Sequence, residues 1–157
     1  MKAIKVITST AYERPRNFSL AISVKQKIDR LNLSENITLL DWTTREDIFS
    51  IIKHSKVYLT TARYEGLPYS VIESLALGKP IIATDADGNR DLVEEKHNGF
   101  VIKGESIIEL SQSVLKLLNN QELLNQFSNN SKLLFTKKFN MKMNIKKLEK
   151  IYIENKK

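Results

Sequence analysis

Apolar residues in this chain are grouped in short β-branched runs, and each run is followed by a stretch in which they recur at helical spacing. Ile4–Thr8 is such a run, ending in a Ser/Thr cluster, and predicts a strand. Phe18, Leu20, Ala21, Val24, Ile28 and Leu31 then mark one helix face up to a break near Asn32. Ile37–Leu40 is a second strand. Thr43-Thr44-Arg45-Glu46 has capping-box spacing, with the Thr43 hydroxyl and Glu46 carboxylate expected to satisfy free amides at a helix start. That helix presents Ile48, Ile51 and Ile52 on one side. Val57–Thr60 predicts a third strand and Tyr69–Leu77 a short helix, with Pro68 at its start and Gly78 and Pro80 at its end. Ile81–Thr84 reads as a buried strand, Leu92–Val93 as part of a short helix, and Phe100–Ile102 as the last strand. Helices are then expected over Ile107–Leu118, Glu122–Leu134 and Met141–Ile153, the last with Met141, Ile145, Leu148 and Tyr152 on one stripe.

Strands alternating with helices predict an α/β fold: a Rossmann-like parallel sheet flanked by helices, with right-handed crossovers and a helical C-terminal tail. The expected division is a sheet layer over residues 1–104 and helices over 105–157. Open α/β sheets bind ligands beyond the carboxyl ends of their strands. That rule selects the loops Ser9–Arg16, Asp41–Thr44, Thr61–Pro68 and Asp85–Asn89.

Composition changes this picture little. The 157 residues suit one domain, with 41% hydrophobic and 27% charged residues, as in ordinary soluble globular proteins. No apolar run approaches the roughly 18–20 residues of a membrane span, and the N-terminus lacks signal-peptide features. With no cysteine there is neither a disulfide framework nor a thiolate metal site, and a cytoplasmic chain is expected. The net charge of +7 is concentrated in the tail, from Lys132 to Lys157. Little aromatic interleaving and no recognition motif accompany it, so nucleic acid is not the expected partner. The tail reads as a solvated lysine-rich helix face or as a contact with an anionic membrane face.

The chemistry-bearing segment is Thr61–Pro80. Gly66 allows close approach of the backbone to a ligand, and Pro68 gives up an amide that has no intrahelical partner. The amides around Leu67–Ser70 form the positive end of a helix, suited to a diphosphate or to sugar hydroxyls. Glu65 stands before that end, and Glu73 lies one turn inside the helix, on the turn shared with Tyr69 and Ser70. Two carboxylates beside an anion site make sense as acceptors for sugar and ribose hydroxyls. Each is individually common at a helix start or on an exposed helix, so an ordinary solvated surface stays open beside this reading.

Residues from Asn36 to about Ile102 resemble the C-terminal, donor-binding domain of retaining GT-B glycosyltransferases of family 4, the glycosyl transferases group 1. The family's E-x7-E motif falls on Glu65 and Glu73. Glu-Gly-Leu-Pro at 65–68, Leu-Ala-Leu-Gly-Lys-Pro at 75–80, Ala-Thr-Asp at 83–85 and Asn-Gly-Phe-Val at 98–101 match in order and spacing. The resemblance implies a catalytic-centre role for Glu65 at the donor sugar and ribose binding by Glu73. It further implies sugar and diphosphate contacts from Gly66, Leu67, Pro68 and Ser70; Arg63, in the same loop but off the family motif, is expected to bind the donor with them. Asp41, Trp42 and Thr43 would border the base, with Trp42 over or beside it or in the core. In the segment Asp85–Asp91, Asp87 and Asp91 stand where the family usually carries a glycine and a glutamate.

Asp85-Ala86-Asp87 imitates a metal-binding D-x-D, but the resemblance implies no metal and no cofactor beyond the nucleotide-sugar donor. His54 and His97 have no second ligand at metal spacing. His54 closes a helix, where a cationic imidazole suits the dipole. The family's acceptor domain, and the loop whose arginine and lysine neutralise the diphosphate, have no expected counterpart. Arg14 and Arg16 either supply some of that charge or are solvated beside Pro15. The expected function is the donor domain of a hexosyltransferase in polysaccharide or glycoconjugate assembly, partnered by a polypeptide that carries the acceptor domain. The alternatives are a non-catalytic nucleotide-sugar-binding module or truncated remnant, a sugar epimerase of the same fold and, from the charge alone, a nucleic-acid binder.

Overall fold

A computed structural model describes residues 6–9, 18–40 and 43–155. The chain divides into two compact units, Met1–Ile48 and Phe49–Lys157. In the first unit, β1 (Val6–Ser9), α1 (Phe18–Arg30) and β2 (Ile37–Leu40) form a βαβ element. β1 and β2 pair in parallel, with Val6 opposite Ile37 and Ser9 opposite Leu40. The break expected near Asn32 is a left-handed cap. Asn32 has φ +54°, its N–H reaches the Asp29 carbonyl at 3.0 Å, and the Leu33 N–H reaches that of Ile28 at 3.0 Å. Asparagine is among the few side chains that take this conformation readily.

The unit boundary falls inside α2 (Arg45–His54). Its cap is Thr44, one residue later than the spacing of Thr43 and Glu46 suggests. The Asp47 N–H donates to the Thr44 hydroxyl at 3.2 Å, and that hydroxyl donates to the Asp47 carboxylate at 2.7 Å. The Asp47 carboxylate, at the third helical position, accepts from that hydroxyl and not from a free backbone amide, the contact expected of Glu46. Thr44→Ala removes both bonds and is expected to lower unfolding free energy by about 1 kcal/mol, readable in urea melts.

In the second unit, β3 (Tyr58–Thr60), β4 (Ile81–Thr84) and β5 (Gly99–Ile102) form a parallel sheet in that order. The expected α/β pattern is therefore present as two parallel sheets, one in each unit. α3 (Tyr69–Ala76) links β3 to β4, and α4 (Asp87–Arg90) lies between β4 and β5. Alternation along β4 buries both of its faces, as a central parallel strand requires. Ile81 and Ala83 join Val71, Leu75, Leu92, Val93 and Leu134 in one cluster. Ile82 joins Phe100, Ile102, Leu117 and Phe127 in the other.

Both clusters draw on α6 (Gln121–Lys138), and the second also on α5 (Ile107–Leu118). The Ser128 and Ser131 hydroxyls of α6 donate to the Gly78 and Lys79 carbonyls at 2.6 and 2.7 Å, fixing the helix over the turn that ends α3. Gly78 there has φ +66°. The Lys79 ammonium bridges the Lys53 and Ser55 carbonyls at the end of α2. His54 also closes α2, its Nδ1 lying 2.8 Å from the Ser50 carbonyl.

Leu92 and Val93, expected in a helix, lie beyond α4 and plug the first cluster. Their apolarity records burial, which an irregular segment can provide as well as a helix. α7 (Met141–Glu154) is helical as expected, yet none of its residues is buried, and Met141, Ile145, Leu148 and Tyr152 are all exposed.

Candidate functional site

The loops after β3 and β4 meet at the carboxyl edge of the second sheet. The Thr84 hydroxyl donates to the Ala62 carbonyl at 2.5 Å, and the Gly88 N–H donates to the Glu65 carbonyl at 2.9 Å. A Cβ on Gly88 would stand 2.2 Å from the Gly66 carbonyl oxygen, so only glycine lets the loops approach this closely. Gly66, the glycine singled out from the motif, has no atom within 4 Å of such a Cβ. Its missing side chain leaves open space over the loop.

Between the loops lies an open cleft of about 490 Å³ lined by Arg63, Tyr64, Glu65, Gly66 and Asp85 to Asp87. Arg90 organises its acidic wall: Nε donates to Asp85 Oδ1 at 2.5 Å, and a terminal nitrogen donates to Asp87 Oδ1 at 3.0 Å. The Arg90 hydrogen bond holds the Asp85 carboxyl below its usual range, so Asp85 is ionised at neutral pH. Arg63 lines the cleft but is ion-paired with Glu105 at 2.8 Å. Tyr64, almost wholly exposed, presents an aromatic face that the motif reading did not single out.

Glu73 lies on α3, outside the cleft lining. The phenol of Tyr58 on β3 is pushed above its ordinary pKa, first by burial and then by the charges of both glutamates, while the Ser70 hydroxyl bonds to it and opposes the shift. Nothing in the sequence marks Tyr58 apart from its strand neighbours.

Pro68 caps α3 without a side-chain bond. The Val71 and Ile72 N–H groups return to its carbonyl at 3.1 and 3.2 Å, which leaves the amides of Tyr69 and Ser70 in a first turn without intrahelical partners. Leu67 is half exposed beside them. Thr43 is half-buried in the coil before α2, in the first unit. Asp41, Trp42, Arg14 and Arg16 lie outside the described residues. Among the described residues, no three His, Asp or Glu side chains are grouped as metal ligands.

Comparisons with known proteins converge on one family. The model for "Glycosyl transferases group 1" matches residues 22–134. An Escherichia coli UDP-Gal:alpha-D-GlcNAc-diphosphoundecaprenol alpha-1,3-galactosyltransferase is 29% identical over 79% of this chain and 31% of its own length. A Staphylococcus aureus poly(ribitol-phosphate) alpha-N-acetylglucosaminyltransferase is 30% identical over 70% of this chain and 23% of its own. The chain therefore spans less than a third of these curated relatives. The crystal structure of Anabaena HepE in complex with UDP superposes with a TM-score of 0.86 at 19% identity, covering 96% of this chain and 41% of that one. At that identity the likeness establishes the fold, that of GT-B glycosyltransferase domains.

Proposed function

This chain belongs to the glycosyl transferases group 1 family, and we propose that it is the donor-side domain of a retaining, family 4 hexosyltransferase that binds a nucleotide-diphosphate sugar. The observation that carries this reading is the open cleft at the carboxyl ends of β3 and β4, lined by Glu65 and Gly66 just before the α3 turn that leaves the Tyr69 and Ser70 amides without intrahelical partners. Open parallel sheets bind ligands at that edge. In this reading Glu65 accepts hydrogen bonds from the donor sugar near its reacting carbon, and Glu73 accepts from the ribose hydroxyls. The amides of Gly66, Leu67 and Ser70 hold the sugar and diphosphate at the positive end of α3. Pro68, which has no N–H, shapes that turn.

Transfer breaks the bond from the sugar's anomeric carbon to the diphosphate oxygen and forms one from the acceptor oxygen on the same face. The acceptor's proton passes to the departing diphosphate. The alpha linkages in both relatives' names agree with retention from an α-linked donor. The step needs the diphosphate charge offset and the acceptor held close. Arg63 is ion-paired with Glu105 and Arg90 with two aspartates, which supports drawing further diphosphate charge compensation from donor-side basic residues beyond this cleft, and assigning the acceptor to a second domain, in a longer chain or on a separate polypeptide. With Asp85 and Asp87 both bonded to Arg90, we assign no metal to this pair.

The lipid-diphosphate and polyol-phosphate acceptors in the relatives' names support a role in polysaccharide or other glycoconjugate assembly. No helix among the described residues is long and apolar enough to cross a membrane. The lysines and exposed apolar stripe of α7 support peripheral contact with an anionic membrane at its cytoplasmic face.

Calorimetric titration with UDP-, GDP- and ADP-sugars tests the reading. At least one series is expected to bind, and Glu65→Gln and Glu73→Gln are each expected to weaken it about tenfold, the loss of one charge-assisted hydrogen bond. Turnover is expected only with an acceptor-side domain supplied. Failure of every donor to bind would overturn the site, and efficient transfer by these residues alone would overturn the need for a second domain.

A further inference from the structure

We infer that the cleft selects a donor whose glycosyl group is uncharged or amino-bearing, and that Asp87 discriminates against carboxylate-bearing glycosyl groups, the uronates. The inference rests on the nucleotide-sugar reading and narrows its substrate class.

The charged groups that line the cleft are Arg63, Glu65, Asp85 and Asp87. Arg63 gives its charge to Glu105, 2.8 Å away. Arg90 is shared between Asp85 and Asp87, so one guanidinium faces two carboxylates. Lys103 also attracts the Asp85 charge, more weakly than Arg90 does. Among the described residues, no basic side chain is ion-paired with Glu65. The lining therefore keeps excess negative charge, and it does so at neutral pH because Asp85 is held ionised.

Asp87 is the carboxylate best placed to act on a ligand. Its side chain is 92% exposed on the cleft wall, and Arg90 bonds only its Oδ1. The second oxygen remains able to accept from a sugar hydroxyl or a sugar ammonium. The hydrogen bond between Gly88 N–H and the Glu65 carbonyl keeps the loop bearing Asp87 beside Glu65, so both carboxylates border the same volume. A hexose donates hydroxyls to this wall. A uronate brings a fourth carboxylate to this lining and finds the lining guanidinium ion-paired with Glu105, and such like-charge juxtaposition is a means of rejecting a wrong ligand.

Matched donor pairs test this with the full chain: UDP-glucose against UDP-glucuronate, and GDP-mannose against GDP-mannuronate, each titrated at low and high salt. The neutral donor of the pair that binds is expected to be favoured by at least about tenfold, a gap that narrows as salt screens the charges. Asp87→Asn, with Asp87→Gly as a second variant, is expected to reduce the ratio severalfold. Equal affinity for both members of a pair, or a ratio unchanged in both variants, would overturn the inference while leaving the nucleotide-sugar reading intact. Absence of binding by all four donors, by ADP-glucose and by free UDP, GDP and ADP would overturn that reading, and the inference with it.

Discussion

Phe127→Ala is expected to lower the unfolding free energy by about 3–5 kcal/mol, the range for truncating a fully buried aromatic side chain. Phe127 is 1% exposed and meets Ile82, Phe100, Ile102 and Leu117, residues from β4, β5 and α5. Its ring packs on Phe100 with centroids 5.4 Å apart and planes tilted by 58°. Alanine would lose the transfer energy of the ring and leave a cavity that rigid strands on one side cannot close. Against a typical domain stability of about 5–15 kcal/mol, that loss should move the urea midpoint far. Leu133→Ala on the same helix, where the side chain is 67% exposed, should stay within about 0.5 kcal/mol. Similar small effects from both would mean that α6 does not cover the sheet as described.

Phe127 also marks what the sequence could and could not disclose. The helix over Glu122–Leu134 was legible, but not which of its residues would be buried or which face of the sheet it would cover. The elements around β3, α3 and β4 were readable because period and punctuation agree there: Pro68 opens α3, and Gly78 closes it in a left-handed conformation. Leu92 and Val93 were misread as helix because two adjacent apolar residues carry no period. The α2 cap was off by one residue because Thr43 and Thr44, like Glu46 and Asp47, are chemically near-equivalent, and only the helix start decides between them.

In the site, the local part was legible and the long-range part was not. Glu65, Gly66, Pro68, Ser70 and Glu73 stand within one turn-and-helix segment, so their proximity follows from chain geometry. The pairing of Arg63 with Glu105 depends on how the loop after β3 meets the segment after β5, which no local pattern encodes. Tyr58 looked like any residue of an apolar strand, and the burial that raises its pKa comes from packing that no local pattern encodes.

Gly88→Ala is expected to cost about 1–3 kcal/mol in stability, the range for forcing an extra methyl into a packed place, and to weaken donor binding at least about tenfold by displacing Glu65. Only Gly78 and Gly104 among the described glycines have positive φ, so the strain at Gly88 comes from space rather than from backbone conformation. The new Cβ would stand 2.2 Å from the Gly66 oxygen and 2.9 Å from the Glu65 oxygen, both backbone atoms that cannot rotate away. The loops must separate, and the bond from Gly88 N–H to the Glu65 carbonyl lengthens or breaks with them. Gly66→Ala, placed in open space at ordinary φ, should leave the melting midpoint nearly unchanged. Urea melts and donor titrations of both variants separate the two glycines. If Gly88→Ala melted and bound like the wild type, the loops would not be in contact, and the cleft between them would have to be redrawn.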